Sequence, residues 1–94
     1  NAENLLAYCK GAGLQCTAEL LANGPAVTGC LPGAPLASRM AALAREGVLL
    51  AACANALRAQ GIAPGQLAPF VEVVPAGVAE LAGRQAEGYA YIKP

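Results

Sequence analysis

Histidine, aspartate and tryptophan do not occur in this 94-residue chain. Without His there is no imidazole for a Ser–His or Cys–His pair, and none of the usual nitrogen ligands for zinc. Without Asp, aspartate-anchored magnesium sites are excluded as well. Charge is scarce: 13% of residues carry it, six basic and six acidic, for a net charge of zero. The basic residues Lys10, Arg39, Arg45, Arg58, Arg84 and Lys93 are scattered along the chain. A nucleic-acid groove or an anionic-membrane patch needs them clustered, so neither partner is implied. No apolar run reaches the ~20 residues of a membrane-spanning helix, and the first dozen residues lack the basic start of a secretory leader.

Apolar surface, by contrast, is abundant. The chain is 56% hydrophobic with a mean hydropathy of +0.46, in a length (residues 1–94) that suits one small domain. A lone monomer of this composition would expose much of that surface, so a homo-oligomer is expected. Cys9, Cys16, Cys30 and Cys53 are irregularly spaced, without a C-x-x-C pair. The zinc and thioredoxin-type signatures are therefore missing, and a reducing cytoplasm is the expected location. No motif calls for a metal or a cofactor: Gly11-Ala-Gly13 closes a helix, whereas a dinucleotide loop must follow a strand.

Hydrophobic periodicity predicts alternating helices and strands. Asn1–Ala12 reads as a helix with Ala2, Leu5, Leu6 and Cys9 on one face, and Leu14–Ala22 as a strand that ends in the turn Asn23-Gly24-Pro25. Ala26–Ala34 carries too many breakers for a regular element, which leaves Cys30 on a flexible loop. Pro35 then opens a helix with a Leu36, Met40, Leu43, Ala44 stripe. Later, Phe70–Val74 reads as a strand halted at Pro75. Ala76–Glu87 reads as a helix with Val78, Leu81, Ala82 and Gln85 inward and the pair Glu80–Arg84 outward, and Tyr89–Pro94 as a terminal strand.

The organising stretch is Gly47–Gly61. Val48–Ala52 is an unbroken apolar run suited to a strand buried on both faces, and the residues after Cys53 are helix formers up to Gly61. The Cys53 thiol is thereby placed at a strand-to-helix junction, where unpaired N–H groups and the helix dipole favour a thiolate. Alternation of this kind predicts an α/β fold with a parallel sheet and helices on both faces. Ligands of such sheets gather at the C-terminal ends of the strands. Asn23 and Gly24, Cys53 with Ala54 and Asn55, and Ala76 with Gly77 are the residues expected there.

Two stretches carry a resemblance. Val48–Gly61 resembles the strand-Cys-x-x-Ala-Leu-Arg-x-x-Gly segment of the DsrE-like sulfur-relay proteins, the DsrE/TusD and YchN-like group. The segment from Val74-Pro-Ala-Gly77 to Gly88-Tyr-Ala-Tyr-Ile-Lys-Pro94 is similar to the ending of a small DsrE-like branch, as Asn23–Val27 is to the loop after its second strand. The resemblance implies a three-layer α/β/α fold with a mainly parallel sheet and assembly into trimers or hexamers. It also implies, at the position of Cys53, a cysteine that carries a persulfide between a sulfur-donor and a sulfur-acceptor protein. Asn23 stands where relatives often have His. Relatives also begin with a strand that this chain lacks, which would lie beside the Cys53 strand, so the recorded chain is expected to be short of its first strand.

Two functional readings follow. In one, Cys53 is a nucleophilic persulfide carrier, with Cys30 as a secondary candidate for a second carrier or resolving thiol. In the other, the protein is a non-catalytic oligomer, a small-ligand binder at the strand rim or a structural paralogue in which Cys53 is an inert packing residue. Exposure and acidity of Cys53 separate them.

Overall fold

A computed structural model describes residues 2–92. Helix α1 spans Ala2–Gly11, strand β1 Glu19–Ala22, helix α2 Ala37–Arg45, strand β2 Leu49–Cys53, helix α3 Ala54–Ala59, strand β3 Val71–Val74 and helix α4 Gly77–Ala86. Between β1 and α2 the chain forms a 3₁₀ segment, Gly24–Cys30, and a second short one covers Pro64–Gln66. The three strands form one parallel sheet in the order β1-β2-β3. Leu20 pairs with Leu50, Ala22 with Ala52, and Cys53 with Val74, so all three strands end on one rim.

Alternation along the strands divides the sheet into two faces. On one, Ala22, Ala52, Val71 and Val73 meet Val27 and Cys30 of the 3₁₀ segment, Ala56 and Leu57 of α3, and Leu67. At its other end Leu20 and Leu50 meet Leu43 of α2 and Ala2 and Leu6 of α1. Helix α4 covers the opposite face, where Gly77 lies against Leu21 and Asn23 and Arg84 reaches Glu19. The three-layer α/β/α architecture is present, with three helices on one face and one on the other. Gly61 and Gly88 end α3 and α4 at φ of +70° and +100°, a conformation that glycine adopts without a Cβ penalty.

Several sequence expectations are corrected. The first strand begins at Glu19 rather than Leu14, because β2 offers ladder partners only from Leu49 onward. Cys30 is on no flexible loop: Val27 and Cys30, three residues apart, share the inward face of the 3₁₀ turn and are fully buried. Leu36 precedes α2 and is exposed. In α4 the inward side carries Gly77, Glu80, Leu81 and Arg84, while Val78 is 76% exposed. Tyr89–Ile92 forms no strand, and Lys93 and Pro94 lie outside the described residues. Finally, β2 is flanked by β1 and β3, so the place beside Cys53 assigned to a further strand is already filled.

Candidate functional site

The site is built where β2 passes into α3. Cys53 keeps extended torsions (φ −73°, ψ 123°) as the residue capping α3, so the helix begins immediately after its thiol. Six-residue helices have little intrinsic stability; α3 is held by Ala56 and Leu57, both buried in the main core. Across the rim β3 ends at Val74, the register partner of Cys53. Three residues later α4 starts, and the Gly77 N–H donates to Cys53 Sγ at 3.3 Å. A Cβ on residue 77 would stand 2.7 Å from Asn23 Nδ2, so a larger residue there requires the Asn23 side chain to shift.

Cys53 is therefore enclosed, with 3% of its surface exposed, and surrounded by main-chain donors. The Ala56 N–H lowers its pKa most; burial opposes this, and the N–H groups of Gly77 and Asn55 and the charge of Arg58 lower it further, to a net value below the ordinary thiol range. Cys30 and Cys9 move the other way: burial pushes both thiols up, and the neighbouring Cys16 adds to the rise at Cys9. Cys30 is 2% exposed in the core, and its carbonyl accepts the Ala68 N–H at 2.9 Å. It packs in the cluster of Val27, Leu57 and Leu67.

Of the expected rim residues, the structure brings Asn23, Cys53 and Gly77 together. Gly24 donates its N–H to Asn23 Oδ1 at 2.8 Å. The Asn55 side chain, exposed, accepts from the Arg58 guanidinium, and Ala54 and Ala76 flank the thiol as the first residue of α3 and the cap of α4. A cleft of about 820 Å³ lies to one side of this rim and is lined by Leu14, Glu19, Leu21, Asn23, Arg84 and Tyr91 among others. Asn23 is the one rim residue that it shares. Among the described residues no three His, Cys, Asp or Glu side chains group as a metal site.

Sequence reasoning did not find the polar cluster that joins α4 to the sheet. Arg84 Nε lies 3.2 Å from both Glu19 Oε1 and Glu80 Oε2, and Arg84 Nη1 lies 3.2 Å from Glu87 Oε1. Its guanidinium also stands 5.4 Å from the centre of the Tyr89 ring. The Glu19 side chain is only 7% exposed. Burial and the adjoining Glu80 carboxylate raise its pKa to about 7, against the lowering effect of Arg84. The signal was a carboxylate within the apolar run of β1, paired with a residue distant in sequence.

With this geometry in view, residues 31–94 match the family model described as the DsrE/DsrF-like family. The chain belongs to that family. The matched span includes β2, Cys53, α3 and the whole of α4, the elements that build the site. Among solved structures, the chain is similar to the protein of unknown function MTH1491 from Methanobacterium thermoautotrophicum, 30% identical, with a TM-score of 0.81. The likeness covers 100% of this chain and 90% of that one. No curated protein matches the chain. The resemblance read from Val48–Gly61 and the C-terminal stretch is thus borne out at the level of family and fold.

Proposed function

We propose that this DsrE-like protein is a sulfur-relay protein in which Cys53 accepts and passes on a sulfane sulfur. The observation that carries the reading is the Cys53 thiol itself: main-chain N–H groups at the starts of α3 and α4 lower its pKa, whereas burial raises those of Cys9 and Cys30. Membership of a family associated with sulfur relay supports it. In the loading step the Cys53 thiolate attacks the outer sulfur of a donor persulfide. A new S–S bond forms at Cys53, the donor's S–S bond breaks, and the donor leaves as a thiolate that keeps the electron pair. An acceptor thiolate then attacks the outer sulfur of the Cys53 persulfide, and Cys53 is returned as a thiolate. Neither step needs a net oxidant or a cofactor.

The protein partners of this reading are a persulfide-bearing donor and a thiol-bearing acceptor, met in a reducing cytoplasm where four free thiols persist. Assembly of copies into a trimer or hexamer belongs to the same proposal, supported by exposed Tyr8, Leu14, Leu36, Val78, Tyr91 and Ile92.

The near-complete burial of Cys53 favours a second reading, an oligomeric binding or structural protein with an inert cysteine. Intact-protein mass spectrometry after incubation with a persulfide donor separates the two. The relay reading expects one added sulfur on the parent, lost in Cys53→Ser and kept in Cys30→Ser. No loading, or loading indifferent to Cys53, selects the binding protein.

A further inference from the structure

Cys53 is 3% exposed, so a bulky reagent or a protein partner reaches Sγ only if a covering element moves, whereas a small reagent enters through local fluctuations. On the α3 side the thiol is backed by the main core, through Val27, Ala56 and Leu57. On the other side it is covered by the start of α4, whose Gly77 N–H rests on Sγ. Helix α4 contributes no side chain to either buried apolar cluster, and Val78 points to solvent. Its attachment to the sheet side includes the close seat of Gly77 on Leu21 and Asn23, the Gly77 N–H on Cys53 Sγ, the half-buried Leu81, and the Arg84 bridge to Glu19.

We propose that α4 is a hinged cover over Cys53, latched to β1 by the Glu19–Arg84–Glu80 cluster, and that release of this latch opens the thiol to its partners. The proposal rests on the relay reading for its biological meaning, although the motion itself does not require it. Helices fixed by few contacts lie at the low-stability end of a fold and open locally without global unfolding.

The chemistry of the latch sets the condition for release. Glu19 faces Glu80 and Arg84 of α4, with Glu87 and Tyr89 behind Arg84 and the thiols of Cys9 and Cys16 lining the adjoining cleft. Protonated, Glu19 donates to the Glu80 carboxylate, and Arg84 balances Glu80 and Glu87. Once Glu19 ionises, at about pH 7, three carboxylates share one guanidinium. Two of them, Glu19 and Glu80, then repel each other in a site that water screens poorly. The latch holds on the acid side of that point and loosens on the alkaline side.

The test is alkylation of the full chain by iodoacetamide and, separately, by its bulky fluorescein conjugate, with labelled cysteines assigned by peptide mass mapping. Both reagents use the same electrophile, so the ratio of bulky to small rate at Cys53 cancels the thiolate fraction and reports access. In the parent this ratio is expected to rise between pH 6 and pH 8, by about threefold or more for a latch that loses one hydrogen bond, Glu19 to Glu80, on ionisation. Glu19→Gln, which keeps a neutral hydrogen-bonding group, is expected to hold the ratio at its pH 6 value throughout. Arg84→Gln is expected to give the high ratio at both pH values, with Cys30 still unlabelled. A ratio in Arg84→Gln equal to the parent's at pH 6, or a rise in Glu19→Gln matching the parent's, overturns the proposal. So does labelling of Cys30 together with Cys53, since the opening would then be global. Failure of Cys53 to load sulfur leaves these ratios unchanged and counts against the relay reading alone.

Discussion

Cys53 shows how a thiol is made acidic without an imidazole nearby. Each N–H directed at Sγ places a partial positive charge against it, and the sum outweighs burial in a site that is almost dry. The rate of Cys53 alkylation by iodoacetamide should therefore reach half its maximum at a pH below that of an ordinary cysteine; a midpoint at or above the ordinary value would contradict the assignment. Gly77→Ala probes the same contact from the other side. A methyl group there meets Asn23 Nδ2 at 2.7 Å and Cγ at 3.2 Å, while Asn23 is tied to the Gly24 N–H at 2.8 Å. The expected result is a loss of about 1–3 kcal/mol in urea unfolding, as for other overpacked contacts, together with a higher Cys53 pKa because the Gly77 N–H is pushed off the sulfur.

At the scale of the element, α3 is the scaffold of the site. Leu57, 1% exposed, anchors it among Val27, Cys30, Ala52 and Leu67. Leu57→Ala should cost about 2–5 kcal/mol by the usual large-to-small rule, and it should raise the Cys53 pKa as the short helix frays; a stability loss with an unchanged thiol pKa would separate the helix from the thiol. Strands β2 and β3, helix α3 and the strand-to-helix junction at Cys53 were legible in the sequence, because continuous apolar runs bounded by Gly and Pro leave few alternatives. The first half of the Leu14–Ala22 run was misread since a strand exists only where a neighbour supplies its hydrogen bonds, and β2 begins too late. Gly24–Cys30 looked irregular because Gly and Pro interrupt it, yet a period of three residues was enough to bury Val27 and Cys30. In α4 the inward face was misjudged for a different reason. Its partner on the sheet is Glu19, so the side that packs inward is the charged one, and hydrophobic periodicity cannot anticipate a carboxylate at the contact.

At the scale of the whole molecule, the buried carboxyl of Glu19 ties global stability to pH. Its folded pKa, about 7, lies above the ordinary carboxyl value of 4.5, so between those points the folded chain holds a proton that the unfolded chain has released. Its contribution to stability is complete below about pH 4.5 and is lost as the pH rises through about 7. The difference in unfolding midpoint between the parent and Glu19→Gln should grow in that window, with the parent falling relative to the variant, and level off above it. A constant difference from pH 4 to pH 8 would show that Glu19 does not titrate there. The apolar exterior adds a further expectation: light scattering should give a mass of three or six copies, and a monomer would return Tyr8, Tyr91 and Ile92 to solvent as unexplained apolar surface.

The donors that hold Cys53 all belong to the main chain. A peptide N–H is carried by every residue type except proline, so substitutions at Ala54, Asn55 or Ala56 that spare the helix leave the anion's surroundings intact, whereas proline at position 56 would delete one of the donors that lower its pKa. The chemistry of the pocket is thus inherited as topology, through the points at which two helices begin, and it can persist among relatives whose side chains around the cysteine share nothing.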